Sequence, residues 1–352
     1  MVDILAGIRV LDFGVWRPAP YATALLADLG AAVLKVEPPR GDPMREFPDL
    51  FEMLNAGKRS VVIDLKQPDG RAHALRLATE ADVVVEGFRP GVAARLGVGY
   101  DHVRAVNASV VYCSVSGYGQ TGQLADAPGH DLNYQALAGA LVPRDGSDPV
   151  EPGPAYGDIA GGMFAALSIC AALVKRGTTG AGAYVDVAMA DAMASWTGPF
   201  PRTRVAGVAK SIRGGIPSYG IFETEGGQRI TIAVVAEDHF WRGLCDALGL
   251  AAVRDLTLSE RIDRGAELRA AIAAAVARYR RDDLVERLLD ANVPAAPLLT
   301  PDEMLEHPSL VERGTVTTTP WGTRMIASPI RFAGKDPKAP SRAPALGEHD
   351  GF

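Results

Sequence analysis

Cysteine is scarce in this 352-residue chain: Cys113, Cys170 and Cys245 are its only three, far apart and each in an apolar surround. An odd, dispersed set excludes a disulfide framework and a zinc site, and suits inert buried thiols in a reducing, cytoplasmic setting. Aromatic residues make up only 7%, so the apolar load falls on Ala, Val and Leu, as in helix-on-sheet packing. Positive charge is not in excess. The 36 Lys and Arg face 42 Asp and Glu, a net charge of −6, which argues against nucleic acid but leaves room for a local basic patch. The longest apolar run, 159–174, falls short of the roughly 20 residues that a bilayer requires and is rich in Gly and Ala. A buried helix is expected there, not a membrane span. The first residues also lack the basic start and apolar core of a signal peptide.

What is present is an α/β pattern. A chain of this length exceeds what one hydrophobic core usually organises, so two domains are expected. The first half alternates short β-branched runs with helical stretches, the signature of βαβ units and a parallel sheet. Strands are predicted over 8–13, 32–36, 60–65, 82–86 and 109–115, with helices over 20–29 and 68–81 between them. Runs such as Val83-Val84-Val85 barely alternate, so these strands read as buried on both faces. A small-residue helix over 161–176, apolar nearly all round, is expected in the interior. A strand over 184–189 and a helix over 190–196 follow. Periodicity then fails over 197–217, which reads as a linker. Beyond it lie a hairpin, 219–223 and 229–235, and helices over 238–248, 267–280 and 282–290. The expected division is a large domain over 1–196 completed by 311–352, and a small α+β domain over 218–310.

One stretch carries chemistry. Gly129-His130-Asp131-Leu132-Asn133-Tyr134 sets an imidazole and a carboxylate beside a turn glycine, and Asp158 follows 28 residues after His130. Two unlike titratable groups, partly desolvated, can take a proton from one face of a carbon and return it to the other. The bland alternatives stay open: Asp131, Asn133 and Tyr134 as a capped turn, and Asp158 as the cap of the helix that follows. Gly117-Tyr118-Gly119-Gln120-Thr121-Gly122 matches a dinucleotide fingerprint, but the residues after it are poor helix formers, which the fingerprint does not allow. Lys58-Arg59 follow Asn55-Ala56-Gly57, and Arg40, Arg45 and Arg89 lie just beyond predicted strands, where an open parallel sheet gathers its ligands. They read either as a polyphosphate site or as solvated surface charge.

These residues resemble the class III CoA-transferase and alpha-methylacyl-CoA racemase superfamily. The resemblance runs through Gly7-Ile8-Arg9-Val10-Leu11-Asp12, Leu26-Ala27-Asp28-Leu29-Gly30-Ala31, Lys35-Val36-Glu37-Pro38-Pro39, Asn55-Ala56-Gly57-Lys58-Arg59, Phe88-Arg89-Pro90-Gly91, the glycine loop at 117–122, Gly157-Asp158 and Gly180-Ala181-Gly182-Ala183-Tyr184-Val185-Asp186-Val187. It implies a Rossmann-like, mostly parallel sheet in a large domain, a smaller α+β domain, and an interlocked homodimer acting on an acyl-CoA thioester. CoA enters as part of the substrate, with no separate cofactor and no metal. Transferases of this kind use the aspartate matching Asp158 as a nucleophile. Racemases pair it with a histidine in the motif found here at 129–134. The implied roles are therefore His130 and Asp158 as the two bases, and Glu237 as the carboxylate that orients His130 across the dimer. Arg40, Asn55, Ala56, Gly57, Lys58, Arg89, Gly129, Asp131, Asn133 and Tyr134 would bind CoA. Main-chain N–H groups near Asp158 or at the start of its helix are the candidate oxyanion donors. The expected activity is racemisation of a 2-methyl-branched acyl-CoA; CoA transfer through Asp158 and non-catalytic acyl-CoA binding are the alternatives. The chain departs from the family pattern at Trp16-Arg17-Pro18-Ala19-Pro20, which alters the acyl pocket, and at Pro38-Pro39, where Arg40 is the replacement cation.

Overall fold

The computed structural model describes residues 3–141, 148–197, 216–334 and 341–352. Six strands form a parallel sheet: β1 Arg9–Asp12, β2 Ala32–Glu37, β3 Arg59–Val62, β4 Val83–Glu86, β5 Val111–Ser116 and β6 Ala183–Ala188. Their order is β3-β2-β1-β4-β5-β6, with Leu11 flanked by Leu34 and Val84 in register. The helices between them are α1 Pro18–Asp28, α2 Pro48–Asn55, α3 Pro68–Glu80, α4 Val92–Arg95, α5 Tyr100–Val106, α6 Asp131–Leu137, α7 Tyr156–Thr179 and α8 Met189–Thr197. Successive strand residues point to opposite faces, and both faces are apolar. Val10, Val83, Val85, Val111 and Cys113 pack with Leu26 of α1 and Ile169 of α7. On the other face Leu11, Leu34, Val61, Val84 and Tyr112 pack with Leu77 of α3 and Val103 of α5. The β-branched runs thus became buried parallel strands, at bounds within a few residues of those expected.

Helix α7 is longer than the sequence pattern gave and begins at Tyr156. It is also less enclosed than expected. Gly157, Ala160, Gly161, Ala165 and Ile169 are buried, while Met163, Leu167 and Val174 are 47%, 65% and 73% exposed. Among the described residues it is the helix long and apolar enough to cross a membrane, but its small-residue face is packed against α1, α8, β5 and β6. That packing is close at Gly162. A Cβ there would lie 2.7 Å from the Pro18 carbonyl oxygen at the start of α1, and 2.8 Å from the Tyr21 ring. Gly162→Ala would gain about 1 kcal/mol of helix propensity and lose more through collision with main chain that cannot swing away. A net destabilisation of about 1–2 kcal/mol is expected in urea unfolding; an unchanged midpoint would mean that α1 slides freely along α7.

The chain divides into two compact units. Met1–Leu141, Val150–Pro199 and Pro308–Phe352 make the first, and Val142–Pro149 with Phe200–His307 make the second. Most of the expected linker, residues 198–215, lies outside the described residues. The second unit holds an antiparallel sheet, β7 Tyr219–Glu223, β8 Arg229–Ala233 and β9 Ala295–Pro297, in the order β7-β8-β9. Trp241, Leu244 and Leu248 of the helix Asp238–Leu248 bury against Ile230 and Ile232 of that sheet and against Ile272 and Leu284. The late segment 308–352 includes a short hairpin, β10 Val316–Thr318 with β11 Arg324–Ile326. Its end straps the region around β3: Arg342 O accepts from Gly57 N–H at 3.1 Å, and His349 N–H donates to Ser60 O at 2.9 Å.

Candidate active site

In an open parallel sheet the crevice lies beyond the carboxyl ends of the strands, where the strand order reverses. Here that point is between β1 and β4. The loop after β1, residues 13–17, faces the loop after β4, residues 87–91. A Cβ on Gly87 would sit 3.3 Å from the Ala19 Cβ. The first loop is held tightly. Gly14 N–H donates to Asp12 Oδ1 at 2.8 Å, Lys35 Nζ donates to Gly14 O at 2.7 Å, and Trp16 N–H donates to Asp42 Oδ1 at 3.1 Å. Lys35 and Asp42 form a fully buried ion pair at 2.8 Å. These bonds fix Trp16 at φ 62°, a left-handed conformation unusual for a bulky residue and one that persists only where its surroundings enforce it. The second loop is held by Glu86, whose Oε2 accepts from Phe88 N–H at 2.7 Å. Burial raises the Glu86 carboxyl to about 7, against the pull of Ser114 and Phe88.

Asp158 stands in the first turn of α7. It does not cap that helix. Asp131, the first residue of α6, does so: its Oδ1 accepts from Gly157 N–H at 2.7 Å and from Asp158 N–H at 3.2 Å. Its Oδ2 accepts from Gln135 Nε2 at 2.6 Å. A Cβ on Gly157 would come within 3.0 Å of Asp131 Oδ1, so glycine is what admits the carboxylate. His130 precedes Asp131 as the exposed cap residue of α6, its main-chain N–H donating to Asn133 Oδ1 at 2.9 Å. One carboxylate therefore ties together the two helix starts that carry His130 and Asp158. Among the described residues no hydrogen bond engages the Asp158 carboxyl. Burial, then the Asp131 charge, raises it to about 6, while Arg17 pulls it down. Tyr134 is buried and donates to Gly129 O at 2.6 Å, and burial, then Asp158, pushes its phenol up to about 12.

The remaining candidates divide. Arg40 and Arg89 are exposed beyond the carboxyl ends of β2 and β4. Ala56 and Gly57 are half-buried, and the Gly57 N–H is taken by Arg342 O. Lys58 and Asn55 point inward, contrary to their expected place against CoA. Lys58 Nζ is fully buried and has four acceptors: Thr23 Oγ1 at 2.8 Å, Pro20 O at 2.9 Å, Asn55 Oδ1 at 3.0 Å and Asp12 Oδ2 at 3.1 Å. An ammonium has three protons to give, so none is left for a phosphate. Burial lowers Lys58 to about 8 in spite of Asp12. Burial raises Asp12, but Lys58 and Lys35 bring it below its ordinary value. Arg45 is likewise engaged, bidentate on Glu37 at 2.8 and 2.6 Å. Asp131 and Asn133 also spend their side chains within the protein, as described above. The glycine loop at 117–122 opens no helix; the next helix is α6 at Asp131.

A family model described as CoA-transferase family III matches residues 5–350. The chain belongs to CoA-transferase family III. Succinate–glutarate CoA-transferase of Agrobacterium fabrum is 32% identical over 98% of this chain and 93% of its own length. Alpha-methylacyl-CoA racemase of Homo sapiens is also 32% identical, over 98% of this chain and 91% of its own. A solved CAIB/BAIF family protein from Brucella suis superposes with a TM-score of 0.86 at 30% identity, covering 98% of this chain and 97% of that one. Family III membership makes the chain an enzyme of the CoA-transferase and racemase superfamily, with transferases and a racemase both among its relatives.

Glu237 lies in the second unit and is exposed. It occupies the cap position of the helix Asp238–Leu248 without capping it; its Oε2 accepts from Val235 N–H at 3.2 Å instead. Main-chain N–H groups around it hold its carboxyl below the usual range. The oxyanion donors expected at the start of α7 are not free. Tyr156 N–H donates to Pro154 O and Ile159 N–H to Ala155 O, both at 3.0 Å, and Asp131 takes the two N–H groups between them. The sequence placed Arg17 at the acyl pocket without a catalytic or CoA-binding role, although its place beyond β1 was the available signal.

Proposed function

We propose that this family III enzyme is an acyl-CoA racemase. It interconverts the epimers of a 2-methyl-branched acyl-CoA by moving the C2 proton through an enolate. The observation that carries the reading is the Asp131 bridge, which fastens the helix start behind His130 to the N–H of Asp158. Both side chains are then free to face one substrate carbon from different elements. The Asp158 carboxylate takes the C2 proton from one face, and the His130 imidazolium returns a proton to the other, so C2 changes configuration but not oxidation state. Reversal runs the same pair in opposite roles. No redox group is required, and CoA is part of the substrate.

In this reading Arg40 and Arg89 meet the phosphates of CoA. Glu237 of a second copy orients His130 and sets its tautomer. The exposed Met163, Leu167 and Val174 of α7 support an interlocked homodimer, since a second chain would cover them. CoA transfer is the second reading, favoured by relatives named as transferases in Agrobacterium fabrum and Acetobacter aceti. There the Asp158 carboxylate attacks the thioester carbonyl, CoA thiolate leaves to give a mixed anhydride, and thiolate then attacks the aspartyl carbonyl and releases the donor acid; an acceptor carboxylate runs the same exchanges in reverse, leaving as its CoA thioester and freeing Asp158. His130 takes no part in that sequence.

Proton NMR in deuterated water with 2-methylacyl-CoA separates the two. The C2 proton signal should disappear with the thioester intact, and His130→Ala should slow that exchange by about 100-fold or more. CoA transfer to an added carboxylic acid without C2 exchange would replace racemisation by the second reading.

A further inference from the structure

Proton abstraction next to a thioester, or attack on it, places negative charge on the carbonyl oxygen, and that charge needs a donor. The first-turn amides of α7 are all engaged. The buried Lys35 and Lys58 and the half-buried Arg45 are paired with Asp42, Asp12 and Glu37. Arg17 differs from them. It is half-buried, and among the described residues its guanidinium makes no hydrogen bond or ion pair at bonding distance. The main chain of Arg17 is fixed by its surroundings, and Arg17 O accepts from Tyr21 N–H at 2.8 Å. Pro18, the next residue, presses its carbonyl oxygen onto Gly162, and Gly162 lies one helical turn after Asp158 on the same face of α7. The clamped loop from Gly14 to Trp16 holds Arg17 from the other side.

We infer that the Arg17 guanidinium is the electrophile of this site, holding the oxygen of the substrate's thioester carbonyl as it becomes an oxyanion. The inference rests on the reading that the acyl carbon lies against Asp158, and it serves an enolate and a tetrahedral adduct alike. The fork of N–H donors suits a localised oxyanion, and its charge also helps keep Asp158 ionised.

Two probes test it, using the full-length protein and the variants Arg17→Gln and Arg17→Lys. The first is C2 exchange of 2-methylacyl-CoA at pH 9, where Asp158 is ionised with or without Arg17. Arg17→Gln should lower kcat by about 100-fold with little change in KM, and Arg17→Lys should restore about a tenth of the wild-type rate. The second is calorimetric binding of carboxymethyl-CoA, a thioether with a carboxylate where the enolate would form, against neutral ethyl-CoA. Wild type should prefer the carboxylate by about 30-fold, and Arg17→Gln should lose that preference. Equal exchange rates at pH 9, with only the acid limb moved upward, would reduce Arg17 to a tuner of Asp158 and overturn the inference. So would a carboxymethyl-CoA preference that survives in Arg17→Gln. If wild type exchanges no C2 proton, the racemase reading fails alone, and the binding comparison still decides the role of Arg17.

Discussion

Asp158→Asn is expected to lower turnover by about 1,000-fold while making the protein more stable at neutral pH. The loss follows from either chemistry, since base and nucleophile both require the carboxylate. The gain follows from the raised carboxyl, about 6 in the fold against 3.8 in its ordinary state. A raised acid means that the fold favours the neutral form. The penalty is therefore absent at acid pH, grows as pH rises from about 4 to about 6, and is complete above that. Asparagine removes it, so stability should rise by about 1–2 kcal/mol at pH 7.5 and by nothing at pH 3.5, after allowance for partial solvation. Urea titrations at the two pH values check this. The wild-type rate should fall with an apparent pKa near 6 on the acid side. Wild-type turnover in Asp158→Asn would remove both enzyme readings, and a variant less stable at pH 7.5 would remove the account of its carboxyl.

Lys58→Met should be the most damaging single change to the fold outside the hydrophobic core. It strips a fully buried ammonium from Asp12, which is itself fully buried, and an uncompensated buried charge costs about 3–5 kcal/mol. The double change Asp12→Asn with Lys58→Met should recover part of that loss, because the orphaned charge is gone. Binding of free CoA by the folded fraction should stay within about twofold of wild type, the size of effect expected where no charged contact is lost. A Lys58→Met protein of wild-type stability whose CoA affinity falls tenfold would return Lys58 to the phosphate site.

These two residues show what the sequence could disclose. Asp158 was visible because Gly157-Asp158 and the His130 motif are local patterns. The parallel sheet was visible for a similar reason, since runs such as Val83-Val84-Val85 carry their burial in their composition. Lys58 was misplaced because a lysine just before a strand looks like a surface charge. Its partner Asp12 is 46 residues away, and only the pairing of β1 beside β2, and β2 beside β3, brings them together. The cap of α7 was out of reach for the same cause: it comes from Asp131, 27 residues before Asp158, and no local rule searches that far. The outer face of α7 was taken as interior because an apolar helix has one composition whether its own chain covers it or another does.

Asp131 has a wider consequence as a clasp. Its bond to Gly157 spans a separation of 26 residues and holds the starts of α6 and α7 together. Doubling such a separation costs only about 0.6 kcal/mol of closure entropy, so its length bears little on how the two helix starts meet. The two helix starts that carry His130 and Asp158 are thus set by one carboxylate and not by the length of chain between them.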